Sequence, residues 1–215
     1  MKNTTRNNMI VMFIVAFFMF SLSSILINAS DKDLIKTILE VHTIDEEKGK
    51  EICKDAFDSY FKDKFNPDNA DIYIKYQYNS NMPHVDCWEI NYKFKKDTEE
   101  FKKFKNAYAY IDSHTGEIKQ IGLIEKVNKR AESSMEEDEG KDLAIKYICD
   151  NELVEDINKL EYLGTMKLNK NLYSYSFKYE ENNAINIGIS SITKNINYFK
   201  YLSEKEAKIL VKSLK

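Results

Sequence analysis

The sequence predicts an α+β fold: two helix-plus-antiparallel-sheet units behind an N-terminal hydrophobic helix. Three observations carry this. Apolar residues recur at helical spacing in three stretches, each preceded by residues able to cap a helix. Between them lie short runs in which apolar and polar residues alternate, the pattern of half-buried strands. The order of these segments in residues 31–125 starts again in residues 140–215, as it does in tandem modules.

The chain opens with a polar stretch carrying Lys2 and Arg6. Met9 to Phe20 follow without one polar side chain, and Ser21, Ser23 and Ser24 separate them from Ile25 to Ile27. Residues 1–29 are either a secretory signal cut after Ala29 or an uncleaved anchor holding the chain in a membrane through residues 9–27. In both cases the flanking cations keep the N-terminus in the cytoplasm and the body lies outside the membrane.

Asp31 to His42, with Leu34, Ile35, Ile38, Leu39 and Val41, reads as a short helix. Thr43-Ile-Asp-Glu46 reads as a capping box. Ile52, Cys53, Ala56, Phe57, Tyr60 and Phe61 then form one helical face, ended by Asn66-Pro67-Asp68. Strands are expected at Ile72 to Tyr78, Cys87 to Lys95, Ala107 to Asp112 and Glu117 to Ile124. Residues 126–139 are charged and read as a linker, with Ser134 to Glu137 as a second capping box. Leu143, Ala144, Tyr147 and Ile148 give a second helical face. Further strands are expected at Leu160 to Lys167, Leu172 to Glu180, Ala184 to Ser190 and Ile196 to Tyr201. Ser203-Glu-Lys-Glu206 opens a last helix bearing Ala207, Leu210, Val211 and Leu214. Two segments overlay directly: Ile111-Asp-Ser-His-Thr-Gly-Glu-Ile118 and Ile189-Ser-Ser-Ile-Thr-Lys-Asn-Ile196.

Ala107-Tyr-Ala-Tyr-Ile-Asp112-Ser-His-Thr-Gly116-Glu-Ile118 resembles the terminal hairpin of PepSY-type domains, and the capped helix and aromatic strands before it are similar to the rest of that module. The resemblance implies an exported or membrane-attached bacterial protein carrying the module in tandem. It assigns Asp112, Thr115 and Gly116 to a structural turn. Physically, Asp112 can accept turn N–H groups and Gly116 can take a positive φ. The second copy departs from the pattern, with Ser190 in place of Asp112 and Lys194 in place of Gly116.

Composition narrows the function classes. Charged residues make up 31% and the net charge is −3, both signs being mixed along the body, which argues against a nucleic-acid partner. The three histidines (His42, His84 and His114) lack metal-ligand spacing, and His114 reads as a solvated turn residue. Cys53 and Cys149 sit among apolar helix residues and are expected to be buried, and Cys87 the most exposed of the three. The acids Glu136 to Glu139 lack the spacing of a calcium loop and read as a helix start. No nucleophile motif or phosphate loop occurs. Catalytic residues, metal and cofactor are therefore expected to be none. The candidate binding face is aromatic: Tyr73, Tyr76, Tyr78, Trp88, Tyr173 and Tyr175. The function expected is non-enzymatic binding of a protein or peptide in the cell envelope, as a protease inhibitor or regulator. The alternatives are a cell-surface small-ligand binder and a hydrolase with an unrecognised site.

Overall fold

The computed structural model describes residues 44–62, 64–77, 86–126, 135–181 and 183–213. The apolar N-terminal segment, the helix expected over Asp31 to His42, Thr43, Tyr78, His42, His84, Ser134 and Leu214 lie outside the described residues.

Asp45 caps the first helix, α1 (Glu46–Phe61), its carboxylate accepting from the Lys48 N–H at 2.8 Å. The cap therefore falls on Asp45, and the acids Glu46 and Glu47 occupy the first turn, where the helix dipole favours them. Gly49, Cys53, Ala56, Phe57 and Phe61 form its buried stripe. A 3-10 turn at Pro67–Asn69 leads into strands β1 (Ala70–Gln77) and β2 (Cys87–Phe94). A five-residue helix, α2 (Glu99–Lys103), capped by Thr98, then leads into β3 (Phe104–Asp112) and β4 (Ile118–Glu125).

The second half repeats this order, except that no counterpart of α2 stands between its second and third strands among the described residues. Helix α3 (Glu137–Asp150) starts three residues before the expected boundary at 140, so the acids Glu137, Asp138 and Glu139 are its first turn. Its N-cap is Glu136, which makes no side-chain cap bond. A 3-10 turn at Ile157–Lys159 precedes β5 (Glu161–Asn169), β6 (Leu172–Lys178), β7 (Ala184–Ser190) and β8 (Ile196–Leu202). The last helix, α4 (Glu204–Ser213), begins at the expected capping box: the Ser203 N–H and hydroxyl both donate to Glu206 at 2.9 Å.

The expectation of two separate sheets is corrected. All eight strands form one antiparallel sheet in the order β1-β2-β3-β4-β8-β7-β6-β5. A four-stranded meander has two bare edges; joining two such meanders removes one edge from each. The seam is the β4–β8 ladder, which pairs Gln120 with Lys200, Ile121 with Phe199 and Gly122 with Tyr198. These pairs are symmetric about Ile121 and Phe199. Under the overlay of Ile111 on Ile189, Gln120 falls on Tyr198 and Gly122 on Lys200, so exchanging the halves returns the same three pairs.

Both long helices lie on one face of the sheet and share its core. Phe57 and Phe65 of the first half meet Tyr92 edge-on, with centroids 5.4 and 5.0 Å away. Ala144 and Ile148 of α3 join the same buried cluster as Tyr175, Phe177, Ile185 and Ile187. Tyr60 of α1 packs edge-on against Phe199 at 4.9 Å, and the Tyr147 hydroxyl of α3 donates to the Tyr60 carbonyl at 3.2 Å. Full burial of each large side chain contributes about 2 kcal/mol.

Candidate functional site

The turn between β3 and β4 is organised by Asp112. Its carboxylate accepts from the N–H groups of His114 and Thr115, both at 2.9 Å. Its carbonyl accepts from Gly116 N–H, and its own N–H donates to the Glu117 carbonyl. Gly116 sits at φ +77°, where a glycine is least strained. Desolvation pushes the Asp112 carboxyl up, but the two turn amides and the Lys119 charge outweigh it and hold the group below its ordinary value.

The turn between β7 and β8 repeats the backbone pattern. Ser190 N–H donates to Asn195, and Lys194 N–H donates to the Ser190 carbonyl. Ser190 Oγ accepts from Thr193 N–H at 3.2 Å, and Lys194 takes φ +58°. The neighbouring serines are fixed alike: Ser113 N–H donates to Asp86 and Ser191 N–H to Asn171. Both turns also follow a register shift, at Tyr110/Ile111 and at Gly188/Ile189.

Each turn stands at one end of the seam, and the two ends differ. At one end Glu125 reaches across to the opposite turn, where the Thr193 hydroxyl and the Asn195 amide donate to its carboxylate, the latter at 2.7 Å. At the other end the position equivalent to Glu125 is Ser203, whose side chain is used to cap α4. Nothing of comparable length crosses from it to the Asp112 turn among the described residues. A cavity of about 610 Å3 opens there, lined by Tyr60, Tyr179, Tyr201, Glu117 and Lys119. The Lys119 ammonium donates to Glu117 at 2.6 Å and lies 3.6 Å from Asp112. Burial pulls the Lys119 ammonium down, but its two carboxylate neighbours raise it overall. Burial raises the phenols of Tyr179 and Tyr201, and the Glu117 charge adds to the rise in both.

The expected aromatic face is dispersed. Tyr76 and Trp88 are in contact, with centroids 5.4 Å apart, and the Tyr76 hydroxyl donates to Asp86 at 2.8 Å. Trp88 donates to the Ile44 carbonyl at 2.9 Å. Tyr73 points to the opposite side of the same edge and is 55% exposed. Tyr173 and Tyr175 lie across the sheet on β6, and Tyr175 is only 1% exposed beneath α3. Consecutive strand residues face opposite ways, and β2 and β6 are separated by four strands, so the set cannot share one surface. Tyr78 is outside the described residues.

The cysteine expectations are corrected in two places. Cys87 is 1% exposed: its strand is internal, and its small side chain stands between Gln77 and Asp112 on the flanking strands. Cys149 is exposed, because the buried stripe of α3 runs Gly140, Ala144, Ile148 and passes it by. Cys53 is buried, and no disulfide joins the three. His114 lies at the turn, 3.7 Å from Asp86. Among the described residues no three His, Cys, Asp or Glu side chains converge as metal ligands.

The residues around the cavity do not stand out in the sequence. Glu117 and Lys119 look like ordinary alternating strand charges, and Tyr60, Tyr179 and Tyr201 lie far apart in the chain. The signal that could have found them is the overlay itself: it sets Glu125 against Ser203, a long acid against a short hydroxyl.

No family model and no curated protein matches the sequence. Among solved structures the chain is similar to the Bacillus megaterium YpeB C-terminal domain, with 12% sequence identity and a TM-score of 0.49. The likeness covers 73% of this chain and spans 62% of that one.

Proposed function

We propose that the chain is a non-enzymatic, PepSY-like tandem module, exported or membrane-anchored through its apolar N-terminus, that binds a polypeptide in the cell envelope by strand addition along β1 and so restrains or regulates a protease. The observation that carries the binding mode is the contrast between the sheet's two edges. β5 is broken by register shifts at Tyr162/Gly164 and Lys167/Asn169, the kind of irregularity that blunts an edge. β1 pairs with β2 without a break over eight residues, and its outer edge carries Ile72 and Tyr73 at 43% and 55% exposure. Such an edge offers a polypeptide a row of backbone donors and acceptors, with side-chain contacts at alternate positions.

A photo-reactive residue in place of Tyr73, introduced into the chain in its native cell, tests this. The expected result is a cross-link to one envelope protein, lost when Ile72→Lys is added beside the label. A label that captures solvent alone, or a cross-link indifferent to Ile72→Lys, sinks strand addition.

A further inference from the structure

We infer that the open end of the seam is a site for a guanidinium or ammonium group, delivered as a side chain of a bound polypeptide. Its being a side chain rests on the polypeptide-binding reading above; the recognition of a cation does not.

The walls supply what such a group needs. Three phenol rings, Tyr60, Tyr179 and Tyr201, line the cavity, and aromatic faces attract cations. Glu117 stands at the same wall with its side chain 66% exposed, and it accepts from Lys119 through one oxygen, Oε2. A carboxylate has about four acceptor sites, which leaves Glu117 room for a second, bidentate donor. Its field already reaches Tyr179 and Tyr201 inside the cavity.

An anionic guest is disfavoured by the same geometry. Lys119 is held by both Glu117 and Asp112, so the three groups together carry one net negative charge. An incoming carboxylate would meet that net negative charge with only the remaining Lys119 N–H to receive it. A cation is favoured by that net charge and shares Glu117 with Lys119 through the acceptor sites Lys119 leaves open.

The symmetry of the sheet explains why the space exists. At the opposite end of the seam Glu125 fills the equivalent position and is bonded to the β7–β8 turn. Ser203 replaces it here and leaves the cleft open. The β4–β8 ladder stops at Gln120 and Lys200, so the backbones of Ile118–Lys119 and Tyr201–Leu202 flank the cleft without pairing with each other. A peptide carrying the cation has main-chain partners at the mouth.

The test is a calorimetric titration of the full chain with acetyl-arginine amide, acetyl-citrulline amide (the uncharged isostere), acetyl-aspartate amide and acetyl-Gly-Gly-Arg-Gly-Gly amide. The arginine amide is expected to bind at least ~10-fold more tightly than the citrulline and aspartate amides, since losing one charge-assisted pair costs about that factor. Glu117→Gln is expected to weaken it by a similar ~10-fold. Ser203→Lys, which sets an ammonium of this chain against Glu117 across the cleft, is expected to abolish it. The pentapeptide is expected to bind ~10-fold more tightly than the single amide through its added backbone bonds.

Equal binding of citrulline, tighter binding of aspartate, indifference to Glu117→Gln, or no heat with any probe overturns the cation site. Equal affinity of pentapeptide and single amide overturns the assignment to a polypeptide side chain. A label at position 73 that captures solvent alone, with intact arginine binding, sinks strand addition alone, so the two failures are distinguishable.

Discussion

Each half of the sheet follows a long helix and a 3-10 turn with four strands, yet at matching places the two use different side chains. In the first turn of each long helix stands a glycine, Gly49 in α1 and Gly140 in α3, each above an aromatic residue of the sheet. A Cβ on Gly49 would meet the Trp88 ring at 3.4 Å, which is ordinary contact. A Cβ on Gly140 would lie 1.9 Å from the Tyr175 hydroxyl and 2.2 Å from the ring carbon bearing it. One glycine is therefore a convenience and the other a steric requirement. Sequence likeness between repeats does not say which positions the packing depends on.

The largest expected effect breaks that comparison open. Gly140→Ala forces the Tyr175 ring out of a site where it is 1% exposed, and overpacking of this kind costs about 2–3 kcal/mol. Gly49→Ala keeps its contact with Trp88 and gains up to about 1 kcal/mol in helix propensity. Urea unfolding of both variants checks this. Equal destabilisation of the two would mean that α1 sits as tightly on the sheet as α3.

The turns sharpen the same contrast on a smaller scale. Asp112→Ala removes an ionised acceptor from two backbone N–H groups and should cost about 2 kcal/mol; Ser190→Ala removes one neutral acceptor and should cost about 1 kcal/mol or less. The Asp112 contribution is also pH-dependent. Its folded carboxyl is held below the ordinary value, so the stabilisation is present above the unfolded pKa of about 3.9 and is lost as pH falls through the folded value. Urea midpoints of the wild type and Asp112→Asn at pH 6 and in the acid range check the sign: the gap between them should narrow on acidification. A gap that holds constant with pH would remove the charge from the explanation.

These positions show how much of the fold can be read from the sequence alone. The three long helices, the eight strands and the Ser203 box are legible because each rests on local rules: spacing, alternation and turn chemistry; the other two caps fall on Asp45 and Glu136, not on the boxes expected at Thr43 and Ser134. The overlay of Ile111 to Ile118 on Ile189 to Ile196 is legible too, and it carries both turns. What it does not convey is that the two meanders share an edge. Three residue pairs make the seam, and nothing in Gln120, Ile121 or Gly122 separates a strand paired with Lys200, Phe199 and Tyr198 from one at a sheet margin. The cavity depends on that junction, so it is invisible for the same reason. The aromatic face fails differently: alternation assigns the rings to strands, but only strand order says which strands are neighbours.

The smallest effect concerns the cysteines, where parity and exposure part company. Alternation puts Cys87 on the face of Glu89 and Asn91, and that placement follows from the β1–β2–β3 register. Exposure does not follow, because a thiol on an internal strand is overshadowed by the longer side chains beside it. Burial pushes both Cys53 and Cys87 up to about 12, which lowers their thiolate fraction near neutral pH roughly a thousandfold. Cys149, one position beyond the buried Ile148, meets solvent directly. Native alkylation at pH 8 should therefore modify one thiol quickly, and Cys149→Ser should abolish the fast phase while leaving stability unchanged within about 0.5 kcal/mol. A second fast thiol would place Cys87 in solvent, and the sheet face around Asp112 would then be more open than the register of β2 between β1 and β3 allows.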